Sequence, residues 1–495
     1  MRWGYRVAGA LALGAGYTAC LDATFVCDAQ RDCVLDGVAG ICVDGGCALP
    51  DGDCPSGHRF HSSASGGRAG DCVAPTSAED TGGDEGTATT QSDDAFSDGM
   101  AETTGTAGAV DTGSEDASDG LACAEPPCGC VTAIAAGVSQ NCVLRADASI
   151  VCWGDNDDGE VGTGAVSDSE LVPTVVPLAG DRGGVLLAAH RASCAIDEDG
   201  TPQCWGRNTS GQADPSTPDD PVLVPAEIDL PVPMAWLGVG PQHACAANSM
   251  GTVACWGNNE YGELGVAAPN PPGPVEVDGL PNSAAALGVG VDHSCVLADG
   301  QVWCWGRNQY GQLGVGTMPA QSETPMMVPT SAPVRLLGVG ENHACAVLQG
   351  PDVAIECWGR NDRSQTGAPP SEFEAGIQSV DTSGVDGPIA RLRVYHERNC
   401  ILTEMGSLYC WGHASNATYQ TSGYTYGDPE PLPQRIDAAE EAGIVPIDFD
   451  HGSNHMCVVS DRRTVHCWGD ADSGALADAG SVSGPDMGEV VIACP

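Results

Sequence analysis

Seven times the chain sets two cysteines nine to twelve positions apart and follows the second with Trp-Gly. The pairs are Cys142/Cys152, Cys194/Cys204, Cys245/Cys255, Cys295/Cys304, Cys345/Cys357, Cys400/Cys410 and Cys457/Cys467, ending at Trp153, Trp205, Trp256, Trp305, Trp358, Trp411 and Trp468. In "HSCVLADGQVWCWG" (293–306) an Asp299-Gly300 turn separates two short apolar runs, the strongest local signal for a two-residue β-hairpin. Counting outward from that turn, Cys295 falls directly opposite Cys304. Facing Cβ atoms lie about 4.5–5.5 Å apart, close to what a disulfide requires, so each pair is read as bonded. Gly200, Gly251 and Gly406 close three-residue turns in copies two, three and six, whereas copies one and seven lack that glycine.

Successive Cys-Trp-Gly marks lie 52, 51, 49, 53, 53 and 57 residues apart, with no helical pattern between them. A period near fifty built of short strands predicts an all-β, seven-bladed propeller. Each copy offers four strands: a lead such as "AALGVG" (285–290), the two hairpin arms, and a closing segment such as "PVEV" (274–277). "GEVVIAC" (488–494) is the expected final strand. Ile150, Val253, Val302, Ile355, Leu408 and Val465 share a face with the neighbouring cysteine, and the Trp points the other way. Pro202 breaks this pattern and is expected to mark a bulge or an unpaired edge.

The segments "WGRNQYGQLGVG" (305–316), "WGNNEYGELGV" (256–266), "WGDNDDGEVGTG" (153–164), "GVGVDHSC" (288–295) and "GVGENHAC" (338–345) resemble the repeat of the regulator of chromosome condensation family, a seven-bladed propeller. The resemblance covers residues 131–495 and thins in copies six and seven, where "WGHASNATY" and "WGDADSGALAD" keep little beyond Trp-Gly. Kelch repeats share the period but call for a double glycine that does not recur here. The paired cysteines depart from the family's usual repeat.

Cysteine arithmetic points to an oxidising compartment. Of 25 cysteines, fourteen sit in blades. Six (Cys27, Cys33, Cys42, Cys47, Cys54 and Cys72) crowd residues 27–72, and Cys20 stands alone. Cys494 is expected to bridge one of Cys123, Cys128 and Cys130, clipping the ring where its ends meet; spacing does not choose among the three. The start of the chain, "MRWGYR" followed by the apolar "VAGALALGAGYTA" (7–19), reads as an export signal too short to span a membrane. Cleavage before Cys20 would resemble a bacterial lipoprotein signal, making residues 1–19 the signal and Cys20 the lipidated residue. Residues 20–74 read as a disulfide module, since the cysteine spacing fits no zinc site. Residues 75–120 carry twelve acids and no basic residue, a composition that predicts a disordered spacer roughly 40 Å across. The propeller then occupies 121–495.

All nineteen basic residues are Arg, which excludes phosphate-loop, Schiff-base and Ser-Lys chemistry. A net charge of −48 opposes nucleic acid and anionic lipid surfaces. His243, His293, His343 and His455 recur two residues before the first cysteine of a blade, with Asn141, Ser193 and Asn399 read as substitutes in other copies. One structural hydrogen bond to neighbouring backbone, rather than a metal, is the expected role. Asn156, Asn208, Asn259, Asn308 and Asn361 are expected to cap turns. Arg207, Arg307 and Arg360 share one register, from which they line a rim as a candidate anion site or pair with local acids. Asn208-Thr209-Ser210 and Asn416-Ala417-Thr418 match glycosylation acceptors.

No nucleophile elbow, zinc-protease motif or dinucleotide loop is present, and no cofactor or metal is expected. The reading is a non-enzymatic, exported monomer, lipid-anchored at an outer membrane or cell surface and binding a protein or glycan through variable loops, which on a rigid ring are the usual recognition surface. A periplasmic or secreted location is the alternative. Two other functions stay open: a secreted lyase or hydrolase at the channel mouth, which converging His and Glu side chains there would favour, and an enzyme inhibitor, since exported propellers that inhibit β-lactamases share this architecture. Nucleotide exchange on a GTPase, which the resemblance also implies, is opposed by oxidised cysteines.

Overall fold

The computed structural model describes residues 129–494, apart from 182–183, 351–352, 374–375, 414–428, 471–473 and 478–483, together with short strands between 34 and 60. The expected signal peptide, lipidated Cys20, acidic spacer, Cys123 and Cys128, and the cysteine side chains of 27–72, lie outside the described residues. The chain divides into two compact units, Met1–Glu115 and Asp116–Pro495. In the first, Val34–Leu35 pairs with Val38–Ala39, and Ile41–Val43, Gly46–Pro50 and His58–Phe60 form a three-stranded antiparallel sheet.

The second unit is a ring of seven antiparallel blades, each laid down in chain order from the inside outward. The innermost strands are Val131–Ala136, Gly184–Ala189, Trp236–Val239, Ala286–Val289, Val334–Val339, Ile389–Tyr395 and Pro446–His451. The second and third strands are the hairpin arms, for example His293–Ala298 and Gln301–Arg307 in blade four. The fourth strands close the rim and range from Val275–Glu276 in blade three to Ser167–Val176 in blade one. Asp299 and Gly300 both take positive φ, 51° and 72°, as a two-residue hairpin requires. Where copies one and seven lack the turn glycine, Ala148 (φ 63°) and Arg463 (φ 61°) occupy the left-handed position instead, at a cost of about 1–2 kcal/mol each.

Every blade pair of cysteines stands directly in register and is bridged, with Cα atoms 4.0–4.1 Å apart. Cys130 bridges Cys494 across 364 residues of chain. Two strand expectations need correction. Pro202 sits opposite Ile196 at the start of the third strand of blade two, and its carbonyl accepts the N–H of Ile228 at 2.9 Å. A strand's first residue tolerates a missing donor, so no bulge forms there; the register shift comes later, between Cys204 and Gly206. The last strand runs Gly484–Val490 rather than through 488–494, and the residues after Val490 lead out to the Cys494 bridge.

The core lies between blades. Alternation along the third strand puts the cysteine on one face and Trp on the other. Each disulfide therefore meets the indole of the next blade: Cys142–Cys152 with Trp205, Cys194–Cys204 with Trp256, Cys245–Cys255 with Trp305, Cys295–Cys304 with Trp358, Cys345–Cys357 with Trp411, and Cys400–Cys410 with Trp468. Cys457–Cys467 meets Trp153, closing the circle. All seven indoles are fully buried. Near the axis, Gly288 and Gly338 stand opposite the first cysteines of blades four and five. A Cβ at either would come within 2.5 Å of the side chain of Val339 or Val394 of the next blade, so the stiff valine packed there favours glycine.

Trp358 Nε1 donates to the carbonyl of Gln312 at 3.0 Å, and Trp305 Nε1 donates to that of Glu263 at 2.8 Å. The Glu263 carbonyl also accepts from Ser294 Oγ at 3.0 Å, whereas the residue at the Ser294 position in blade five is Ala344. Trp358→Phe should therefore cost about 2–3 kcal/mol and Trp305→Phe about 1 kcal/mol less, measured by guanidinium unfolding. Equal losses would contradict the assignment of these carbonyls.

Candidate functional site

In an up-and-down blade the connection from first to second strand and that from third to fourth fall at the same end of the ring. That end gathers the Gly-x-x-His turns, the loops after Trp-Gly and the three arginines of the sequence register. The loops are long, but each is pinned from within. The buried side chain of Asn308 accepts the N–H of Leu313 at 3.0 Å and donates to the carbonyls of Gly316 and Pro319 at 2.8 and 2.7 Å. Asn156, Asn208, Asn259 and Asn361 repeat the pattern, taking the N–H groups of Val161, Ala213, Leu264 and Thr366. A buried amide thus does the work of a short strand in holding the loop. Asn208 spends its side-chain nitrogen on the carbonyls of Asp214 and Thr217, so this buried acceptor motif is not a glycosylation site; Asn416 lies outside the described residues.

A second element was missed in the sequence. Seven residues after Trp in blades one to five stands Glu160, Gln212, Glu263, Gln312 or Gln365. Each side chain accepts the backbone N–H two residues earlier, at 2.6–2.9 Å. Each carbonyl receives the indole of the next blade at 2.8–3.2 Å. The recurring Gly-Glu/Gln was the available signal, since a polar residue invariant in register beside apolar ones marks a buried hydrogen-bond role.

The histidines belong to the same network, and two expectations about them are corrected. The partners of His243, His343 and His455 are side chains of the next blade rather than backbone, neither ring nitrogen of His293 has a hydrogen-bond partner among the described residues, and Asn141, Ser193 and Asn399 lie one residue before the cysteine, not two. His343 Nε2 bonds Asn399 Oδ1 at 2.9 Å, and Asn399 Nδ2 donates to the Gln365 carbonyl at 2.8 Å. His455, Asn141 and the Ala475 carbonyl repeat the relay across the closure at 2.9 Å for both bonds. His243 bonds Ser294 Oγ at 2.8 Å. Ser193 Oγ reaches the Glu160 carbonyl at 3.4 Å. Burial holds His243 and His293 down to about 3 and His343 and His455 down to about 4, so all four stay neutral. Their turns place Gly290, Gly340 and Gly452 where a Cβ would come within 2.2–2.4 Å of the imidazole.

The three arginines are spent locally. Arg307 bonds Asp292 at 2.8 Å and lies over the Tyr261 ring at 4.6 Å. Arg360 bonds Asp362 at 2.6 Å, approaches Glu397 at 3.7 Å and lies 5.5 Å from the Tyr310 ring. Arg207 approaches Asp158 at 3.9 Å. Each arginine of blades four and five thus stacks on the preceding blade's tyrosine and faces a carboxylate, which leaves little charge for an anion.

The channel mouth at this end is mixed. His396 Nε2 lies 3.6 Å from Glu341, and the His190 and Tyr395 rings are 5.3 Å apart, amid Val239, Pro241, Val289 and Val339. Burial holds His190 down to about 3 and pushes Tyr395 above its ordinary range, so neither exchanges a proton near neutrality as a general acid or base must.

Two models of the regulator of chromosome condensation (RCC1) repeat match the chain, one over residues 299–347 and one over 131–160, 237–263 and 285–312. The matched segments fall in blades one, three, four and five of the propeller. The E3 ubiquitin-protein ligase HERC2 of Mus musculus is 25% identical over 340 residues, 67% of this chain and 7% of that protein. The ultraviolet-B receptor UVR8 of Arabidopsis thaliana is 26% identical over 51% of this chain and 59% of its own. The chain therefore spans less than two thirds of either relative. Among solved structures, human WBSCR16 superposes with a TM-score of 0.61 at 18% identity, covering 70% of this chain and 94% of that one. Prp20p of Saccharomyces cerevisiae superposes at 0.56 with 21% identity, over 64% and 80%.

Within the propeller, Glu160 and Glu263 replace the glutamine of blades two, four and five, and burial pushes both carboxyls up to about 7. A carboxyl whose folded pKa exceeds its unfolded value loses stability as pH rises through that window. Glu263→Gln should therefore stabilise the ring by about 2 kcal/mol at pH 8.5, with the gain vanishing below pH 5. Thermal unfolding across that range reads this, and a pH-independent effect would contradict it.

Proposed function

We propose that the RCC1-type propeller is a non-enzymatic scaffold that binds a protein partner on its loop end, held outside the reducing cytoplasm by a lipid on Cys20. The observation that carries the binding reading is the rigid presentation of unlike loops: five buried asparagines pin loops whose outer residues differ from blade to blade. Prp20p, alike in fold, has binding properties to Gsp1p and histones, and Kap60 binds yeast RCC1. Seven blade disulfides support an oxidising location, and the apolar run before Cys20 supports export. The exposed loop acids Asp157, Asp219, Asp220 and Glu260, within a chain of net charge −48, favour a basic partner surface.

Site-directed photocrosslinking in the producing cell tests this. A photoreactive residue at Glu260, exposed on the loop end, should give a discrete protein adduct; one at Met250, exposed on the opposite hairpin turns, should not. Adducts only from position 250, or from neither, would contradict the binding face. Cys20→Ser should release the chain from the membrane fraction, and unchanged fractionation would contradict the anchor alone.

A further inference from the structure

The inner strands enclose a cavity of about 420 Å³ on the propeller axis. Its wall mixes apolar surface from the Val and Leu residues of the inner strands with nearly as much polar surface; Leu237 and Leu392 are largely buried in the interblade cores. Its two ends differ. Toward the hairpin turns, Arg335 and Arg391 line it, with Arg393 just inside. Arg393 pairs with Asp448 at 3.2 Å and approaches Asp450 at 3.9 Å. Asp448 and Asp450 are themselves occupied by the Ile134 and Ala136 N–H groups of blade one. Arg391 reaches Asp448 only at 3.7 Å and is half exposed. Arg335 donates to the Ile389 carbonyl at 2.7 Å and has no ion-pair partner among the described residues. Three guanidinium groups thus face two carboxylates, leaving a positive end in an otherwise acidic protein.

The loop end carries His190. This residue lines the cavity at 7% exposure, and neither ring nitrogen has a hydrogen-bond partner. A buried, unsatisfied imidazole facing an enclosed space is costly unless something there bonds to it. Arg391 and Tyr395, four residues apart on one strand, set the distance between the two polar ends at roughly 13 Å.

We infer that this cavity binds a linear amphipathic carboxylate about ten carbons long, its head on Arg335 and Arg391 and its far end against His190. The apolar part of the wall covers the chain, the unpaired guanidinium takes the carboxylate, and a polar terminus on the ligand would satisfy the imidazole. The inference is independent of the loop-end binding surface, since the head group sits at the opposite end of the axis.

Isothermal titration of the full-length protein with decanoate, 10-hydroxydecanoate, decanol and decyltrimethylammonium separates the contributions. Decanoate should bind one to one with an affinity on the order of 0.1–1 mM. 10-Hydroxydecanoate should bind more tightly, and decanol and the ammonium at least tenfold more weakly. Arg335→Gln with Arg391→Gln should weaken decanoate at least tenfold and leave decanol unchanged. His190→Leu should abolish the advantage of the terminal hydroxyl. Equal affinities for all four ten-carbon probes would mean an indifferent apolar surface, and no binding would mean a water-filled channel; either overturns the proposal. Unchanged decanoate binding in a double variant that melts like the wild type would also overturn it. Should a variant fail to fold, the comparison of head groups on the unaltered protein still decides.

Discussion

The contact between one blade's disulfide and the next blade's indole is the interaction on which this propeller depends. A chain with only five Phe and nine Tyr cannot fill seven interblade layers with ordinary aromatics. It uses one large ring per layer and sets a compact sulfur bridge against it, with Ile, Val or Leu two residues before the second cysteine completing most layers. Each bridge closes a short loop and, by the chain-entropy model, contributes about 2–3 kcal/mol. The bridge thus stiffens a blade and supplies the next blade's packing surface. Closing one side of a blade on itself in this way leaves the next blade a defined surface to meet.

The polar groups follow the same blade-to-blade logic. In blades two to six the buried indole N–H donates to the carbonyl of the Glu/Gln turn in the preceding blade, and in blade one to that of Ala475. Asn or Ser of the following blade bonds the same carbonyl, and a neutral His behind it completes a chain that crosses the interface twice. At the closure between blades seven and one this relay is joined by two further devices. Asp448 and Asp450 take the inner-strand N–H groups of blade one, and Cys130 is bridged to Cys494. Blade seven, where the repeat sequence thins, is thus held at its seam by all three devices.

The ring was legible because its period, its Asp-Gly turn and its alternation are local properties. Opposed registers such as Cys295 with Cys304 follow from counting alone. What was not legible lies between copies. Nothing in a single repeat says that His343 addresses Asn399, fifty-six residues on, because that pairing exists only once two blades are stacked. The same holds for the arginines: sequence left Arg307 as either a rim anion site or a partner of local acids, and only stacking shows Tyr261 beneath it and Asp292 beside it. Pro202 misled for the opposite reason. Its local signal was real, but a strand's first position absorbs it without a bulge. The loop asparagines were read correctly as turn-formers, though their burial and their multiple bonds required the folded loop.

The central claim is that the blade cysteines are covalently paired, one bridge per blade. Alkylating the full-length protein in denaturant without reductant, followed by peptide mass mapping, tests it directly. The account predicts unmodified, disulfide-linked peptides for Cys142–Cys152 through Cys457–Cys467 and for Cys130–Cys494. Alkylated cysteine next to Trp-Gly in most blades would contradict it.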